Sequence, residues 1–174
     1  MIGFLRYLGL LNAAVWLGAA VSFAFAIGPA FFSEEMKAMF PPPHNGAAAQ
    51  IVIKHYFILL HVCGAVAVLH LVLEKLYLGK VAERLTVIVL SVTIFLGLLG
   101  GFWFQPKLKD LHLRWYDARS SEIAREQAHQ SFSLWHGISQ TMNIIVIGGL
   151  LIYLWRVSNP PSASRFLTAN KFRG

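Results

Sequence analysis

The chain has 174 residues, of which 56% are hydrophobic and 13% are charged, and its mean hydropathy is +0.58. Soluble domains carry about 25% charged residues, so this composition excludes a water-soluble globule, a disordered chain and a fibrous repeat. The net charge is +7. Because the basic residues flank apolar stretches, where they set orientation and meet anionic headgroups, we expect a lipid bilayer and no nucleic acid as partner.

Four apolar stretches predict an all-α integral membrane four-helix bundle with up-down-up-down topology. They cover residues 4–32, 56–78, 85–104 and 132–155. Each reaches the ~20 residues that cross a ~30 Å hydrocarbon core, and each must be a helix to satisfy its own backbone. Residues 1–157 are expected to form one domain, and residues 158–174 a cytoplasmic tail that begins at an Asn-Pro-Pro helix stop.

The connections between these stretches differ in character. Residues 33–54 contain three consecutive prolines and an Asn-Gly pair, which predict a turn-rich loop. In the third connection, Ser121 is a candidate N-cap and Glu122 follows it in the first helical turn. The fourth helix is therefore expected to begin near Ser121 and to extend outside the bilayer.

Basic residues are divided unequally between the two sides of this topology. The N-terminus, the second connection and the tail hold eight Lys and Arg against two acids, whereas the other two connections hold seven against six. The eight lie in short segments beside the spans, where the positive-inside rule counts most strongly. We expect both termini in the cytoplasm and the protein in a bacterial inner membrane.

Small residues recur at every fourth position of the first apolar stretch. These small-ridge residues are Ala14, Gly18, Ser22, Ala26 and Ala30. Such a ridge lets another helix approach closely. It predicts packing against another span or another protomer, and hence a homo-oligomer or a larger membrane complex.

Polar side chains inside apolar spans are costly and mark candidate sites. His136, Ser139 and Asn143 fall on one face of the fourth span, because residues three, four and seven apart share a helix face. Gly137 is expected to let a neighbouring helix approach beside them, and Asn12 lies in the first span. The polar stripe, formed by His136, Ser139 and Asn143, either joins helices through hydrogen bonds or forms the wall of a ligand site.

Few titratable side chains lie in or near the spans. His136 and His61 are expected at similar depths, with His55 nearby, so two imidazoles from neighbouring helices can ligate haem b or a divalent metal. The sequence has no Cys-x-x-Cys-His or His-Glu-x-x-His motif, so the first expectation is no cofactor and histidines bonded within the bundle. Arg6 and Glu74 lie near the same end of their helices and predict an ion pair.

Several short motifs resemble one family. They are Val15-Trp16-Leu17-Gly18, Gly28-Pro29-Ala30, Tyr56-Phe57, Phe102-Trp103-Phe104-Gln105-Pro106-Lys107 and His136-Gly137-Ile138-Ser139 with Asn143. Together they resemble the four-span membrane family of domain of unknown function 4149, related to eukaryotic transmembrane protein 205. The His-Gly-x-Ser-x-x-x-Asn stretch is the most specific of them. The resemblance implies a four-helix membrane bundle without implying an activity, and Pro106 is expected to end the third helix.

The sequence favours a non-enzymatic accessory, assembly or oligomeric membrane subunit. A small transporter or channel, lined by the polar stripe and Asn12, is one alternative. A membrane redox protein that binds haem or a metal through His136 with His61 or His55 is another. No Gly-x-Ser-x-Gly motif, phosphate-binding glycine loop or pair of membrane carboxylates in the sequence indicates an enzyme.

Overall fold

The computed structural model describes residues 2–79 and 81–159, which contain helices and no strands. Four helical segments are long and apolar enough to cross a membrane, and we call them the first to fourth spans: Gly3–Ala30, His44–Tyr77, Arg84–Trp115 and Glu122–Ser158. The chain is thus an all-α integral membrane protein, as the sequence predicts. Lys80 and residues 160–174, which include most of the predicted tail, lie outside the described residues.

Two polar contacts place the start of the first span, the end of the fourth span and the second connection at one end of the bundle. Arg6 Nη2 donates to the backbone oxygen of Ser158 over 2.7 Å, and Arg156 Nη1 donates to Glu83 Oε2 over 2.8 Å. We call this the terminal end, and the opposite end, which carries the first and third connections, the loop end. The four spans therefore alternate in direction, which confirms the predicted up-down-up-down bundle.

The second, third and fourth spans are longer than the apolar stretches that predicted them. The second helix is His44–Leu78 and the fourth is Glu122–Ser158. The fourth has 37 residues. At a rise of about 1.5 Å per residue it is about 55 Å long, well beyond a ~30 Å hydrocarbon core. Its start agrees with the sequence, because the Ser121 hydroxyl accepts a hydrogen bond from the Ala124 amide over 3.2 Å.

The first connection is more helical than its sequence suggests. A short helix occupies Glu34–Met39, and the Ser33 hydroxyl caps it by accepting from the Met36 amide. The second helix then begins at His44, immediately after the three prolines. The Asn-Gly pair at residues 45–46 therefore lies in the first helical turn, and the predicted loop through residue 54 is wrong. The preceding prolines restrict the chain and serve as a helix start.

The first and third spans each contain a π-helical turn followed by a proline. The turns are Phe23–Ile27, before Pro29, and Gly100–Phe104, before Pro106. In the third span the helix continues as Gln105–Trp115, so the prediction that Pro106 ends it is wrong. The physical reason is the hydrogen-bond register. The Gln105 amide bonds to the Gly100 oxygen five residues back, so the regular α-helical pattern is already interrupted immediately before the proline.

The hydrophobic core fills the half of the bundle near the terminal end. Trp16 and Ala20 of the first span meet Cys63 of the second span, with Leu150 and Tyr153 of the fourth, and all five are buried. The first span buries Leu5, Gly9, Ala13, Trp16 and Ala20, which are spaced three or four residues apart. This face, rather than the predicted small ridge, binds the first span to its neighbours.

Tryptophans mark the two boundaries of the bilayer on the fourth span. Trp135 contacts the rings of Trp103 and Phe104, and Lys107 Nζ lies 3.7 Å from the centroid of a Trp135 ring. Trp155 lies exposed near the terminal end. Twenty residues separate Trp135 from Trp155, and they span about 30 Å of helix. This length matches the hydrocarbon core, and tryptophan is enriched at both of its boundaries.

Candidate functional site

A cavity of about 650 Å³ lies between the spans in the half of the bundle near the loop end. Leu60 and Val146, which also belong to the core, form its floor. Lys37 and Pro42, from the first connection, lie at its opposite end. Its volume falls within the range of about 300–1,000 Å³ that small-molecule sites occupy.

The polar stripe of the fourth span lines this cavity. His136, Ser139 and Asn143 all contribute to the wall, together with Gln140. The side-chain amide of Gln140 lies 3.0 Å from His136 Nε2, and Asn143 Oδ1 accepts a hydrogen bond from the Tyr56 hydroxyl over 2.9 Å. The amide nitrogen of Asn143 and the hydroxyl of Ser139 remain as neutral groups that can bond to an oxygen-bearing ligand.

Aromatic rings hold the polar stripe in place. Tyr56 stacks on Phe23, which lies in the π-helical turn of the first span, with 4.2 Å between ring centroids. His136 stacks on Phe132 at 5.6 Å and meets the edge of Phe32 at 6.2 Å. The cavity wall therefore combines large apolar rings with a few fixed polar groups, which is the usual composition of a small-molecule site.

The cavity includes polar residues that the sequence did not single out as a site. Asn45, Gln50 and His112 line it, and Oε1 of Gln50 is buried with no hydrogen-bond partner among the described residues. Asn45 and Gln50 were missed because their stretch was read as a loop. The packing of His112 depends on Gly46, because any Cβ at that position would collide with the imidazole ring. The helical spacing of residues 45, 49, 53 and 56 was the available signal.

Asn12 does not join the polar stripe. Its amide nitrogen donates to the backbone oxygen of Cys63 over 2.9 Å, which ties the first span to the second. The Arg6–Glu74 ion pair does not form among the described residues. Arg6 instead bonds to the end of the fourth span, and Glu74 Oε1 lies 4.0 Å from His70 Nε2. The carbonyl groups at the end of a helix have no partner within the helix and accept hydrogen bonds from a guanidinium, and Arg6 lies within reach of one of them.

The small ridge faces away from the bundle. Ala14, Gly18, Ser22, Ala26 and Ala30 are all exposed. A Cβ added to Gly18 would meet nothing within 4 Å, and the same holds for Gly137. No other span of the described chain therefore packs on the ridge or beside Gly137, which corrects the expectation for Gly137. Packing of the ridge against another protomer stays a prediction.

The three histidines considered as cofactor ligands have different surroundings. His61 Nε2 lies 3.2 Å from the Gly97 oxygen, and its ring stacks on Phe102 outside the cavity. His55 is exposed, with Nδ1 2.9 Å from the Ile51 oxygen. Only His136 of the three lines the cavity, so these residues do not fit a bis-histidine haem. Within residues 2–79 and 81–159, no group of three His, Cys, Asp or Glu side chains is arranged for a metal ion.

The charge of the cavity wall is low and positive. Lys37 is the only Lys, Arg, Asp or Glu side chain in the described wall, and it lies at the outer end. Its ammonium group pairs with Glu34 Oε1 at 2.8 Å on the surface. The wall can therefore bind neutral oxygen-bearing groups in its interior and an anionic oxygen at its end, while its described part has no carboxylate to pair with a cation.

Comparison with known proteins identifies the family of this chain. The model of the family "Domain of unknown function (DUF4149)" matches residues 11–116, which is more than half of the chain. The match includes the motifs of the first three spans and ends before the His-Gly-x-Ser stretch of the fourth. Neither a curated protein nor a solved structure matches the chain. The matched region contains both π-helical turns and most of the cavity wall. Because the match covers more than half of its length, the chain belongs to the DUF4149 family.

Proposed function

We propose that this chain is a non-enzymatic membrane module that holds a largely apolar small molecule in the cavity near its loop end. The observation that carries this proposal is the cavity wall, in which aromatic and aliphatic side chains surround the neutral polar stripe of His136, Ser139 and Asn143. His136 Nε2 is engaged by Gln140 rather than by the Ser139 hydroxyl. This pairing supports a role for the stripe in binding rather than in activating a nucleophile.

The geometry favours holding a ligand over conducting one. Below the floor of the cavity, Trp16 and Tyr153 are fully buried and fill the bundle toward the terminal end. A transporter or channel would need to open this packed core. The exposed small ridge supports an accessory or oligomeric subunit.

Ligand binding in the cavity can be tested with 2-undecanone, which combines one apolar chain with one carbonyl oxygen. Binding to the folded state raises stability by about 2.7 kcal/mol at a hundredfold excess over Kd. We expect the ketone to raise the melting temperature of the purified wild-type protein. Ser139→Phe, which fills the cavity, should abolish this rise.

Ser133→Phe is the matched control, because Ser133 lies on the same helix, is exposed and does not line the cavity. It should retain the full response to the ketone. Equal responses of the wild type and both variants would mean that the ketone acts through the detergent or the protein surface. That outcome, or no response of the wild type, would contradict the proposal.

A further inference from the structure

The cavity wall continues onto the surface that faces the lipid. Phe25 of the first span and Ile144 of the fourth span both line the cavity, yet they are 66% and 52% exposed. Ile144 lies nine residues beyond Trp135, which corresponds to about 13 Å into the bilayer from the tryptophan boundary. Side chains exposed at this depth contact acyl chains.

In the described chain, the buried core that joins the first and fourth spans lies on the other side of this point. Toward the terminal end, Trp16 and Ala20 pack with Leu150 and Tyr153 in the buried core. Toward the loop end, the first span changes to its π-helical turn and then reaches Pro29, which lines the cavity and is exposed. Such turns and prolines redirect a helix axis. The rim formed by Phe25 and Ile144 therefore lies beyond the buried core that joins the two spans.

Polarity rises along the cavity from this rim to the loop end. The rim side chains are apolar, Asn143 lies beside the rim on the inner face of the fourth span, Ser139 lies one turn closer to the loop end, and the outer end carries the Lys37 ammonium. Lys37 is 43% exposed, and its pair with Glu34 is of the surface type that contributes only about 0–1 kcal/mol. A competing anionic oxygen can therefore recruit this ammonium group at little cost.

Resting on the proposed function, we propose that the ligand is a single-chain lipid with a carbonyl-bearing end, which enters the cavity sideways from the bilayer between Phe25 and Ile144. Its oxygen atoms lie toward Ser139, Asn143 and Lys37, and its alkyl chain lies along the aromatic wall. The absence of carboxylates from the described wall disfavours a cationic amphiphile. A free fatty acid and a monoacyl ester share the required chemistry.

The proposal can be tested with a palmitic acid that carries a photoreactive diazirine in its chain, added to the protein in lipid nanodiscs. Cross-linked peptides are then mapped by mass spectrometry. Label on the buried floor residues Leu60 and Val146 reports occupation of the cavity, whereas label on Ile145 or Phe95 reports surrounding lipid. We expect label on the floor, and its competitive loss when unlabelled palmitate is added.

The route is tested by narrowing the rim. Ile144→Trp is expected to reduce the initial rate of floor labelling severalfold. Ile145→Trp is the matched control, because Ile145 is 53% exposed and does not line the cavity, and it should label at the wild-type rate. Equal rates in both variants would overturn lateral access. Melting temperatures and gel filtration verify that both variants are folded.

The polar end is tested with Lys37→Gln. We expect this variant to weaken competition by palmitate by about two- to fivefold, which is the range that a half-exposed ion pair supports. Competition by 1-monopalmitoylglycerol, which is uncharged, should not change. If Lys37→Gln weakens competition by palmitate and by 1-monopalmitoylglycerol equally, Lys37 does not bind the carboxylate and that assignment is wrong. If 2-undecanone stabilises the protein but palmitate labels only the outer surface, the cavity binds a ligand of another class.

Discussion

Tyr56 and Asn143 form the one side-chain hydrogen bond in the described chain that crosses from the second span to the fourth at the cavity wall. The bond leaves the donor groups of Asn143 free, and the stacking of Tyr56 on Phe23 fixes its direction. A single bond thus links two spans and orients the polar groups that the cavity presents. Its contribution to stability can be measured apart from its role in binding.

We expect a double-mutant cycle of Tyr56→Phe and Asn143→Ala to give a coupling energy of about 0.6 kcal/mol, and at most about 1.7 kcal/mol. The value is small because the unfolded chain in a membrane also finds hydrogen-bond partners. Equilibrium unfolding in mixed micelles measures it. A coupling energy near zero would show that the two groups do not bond in the membrane.

Glycines give space to three imidazole rings at helix contacts. The pairs are Gly101 with His61, Gly9 with His70 and Gly46 with His112. His70 is buried and its Nε2 lies 3.0 Å from the Leu5 oxygen. Histidines and glycines that look like separate signals in the sequence are therefore complementary surfaces, which no single-residue pattern reveals.

The Gly9–His70 contact predicts opposite effects for two similar substitutions. Gly9→Ala places a methyl group against the buried ring and should destabilise the protein by about 1–3 kcal/mol. Gly18→Ala enters open space on the same span and should be neutral or stabilising by up to about 1 kcal/mol, because alanine favours helices. Thermal unfolding of both variants tests this. Similar losses of stability in the two variants would refute the contact.

At the scale of the element, the sequence predicted which part of each helix crosses the membrane but not where each helix begins or ends. Hydropathy located the membrane parts because lipid imposes a length of about 20 apolar residues. Polar extensions such as 44–55 escaped detection, since they are stabilised by packing against other helices rather than by lipid. Pro106 was misread for a related reason: a preceding π-helical turn accommodates the proline, and hydropathy does not report hydrogen-bond register.

The first span shows the same limit in its small residues. The four-residue spacing of Ala14 to Ala30 is real, but the buried face is the one that carries Ala13, Trp16 and Ala20. Both faces contain small residues, so spacing alone does not separate them. The sequence could not show that the polar stripe lines a cavity, because a cavity depends on how the neighbouring helices pack around the stripe.

Exposure of the small ridge predicts a specific effect on assembly. Gly18→Leu or Ser22→Leu should reduce association between copies of the chain more than Leu17→Ile does, because a bulky side chain separates the backbones of two docked helices. The melting temperature of the monomer should change little in the two ridge variants. Energy transfer between labelled copies in liposomes measures association. If all three variants associate alike, the ridge faces only lipid.

At the scale of the whole molecule, the ends of the bundle are distinguished by charge and by contacts. Arg6, Glu83 and Arg156 gather at the terminal end, and the positive-inside rule favours the cytoplasm for that end. The structure fixes which segments share a side, so a single labelled position on each side assigns the orientation.

In a variant in which Cys63→Ala removes the only cysteine, Asp117→Cys should react with a membrane-impermeant maleimide in intact cells. Val81→Cys should react only after permeabilisation. Both positions are exposed, one at each end of the bundle. The reverse pattern would place the termini outside and the cavity near the cytoplasm.

The core and the cavity lie mainly in different halves of the bundle, and this separation determines how substitutions affect the fold and the ligand. The helices are joined mainly through Trp16, Leu150, Tyr153 and their neighbours, so side chains on the cavity wall contribute less to assembly. Exchanging a wall residue such as Ser139 should then alter which molecule fits while the fold is kept. Ligand fit and fold stability can therefore be changed by separate substitutions.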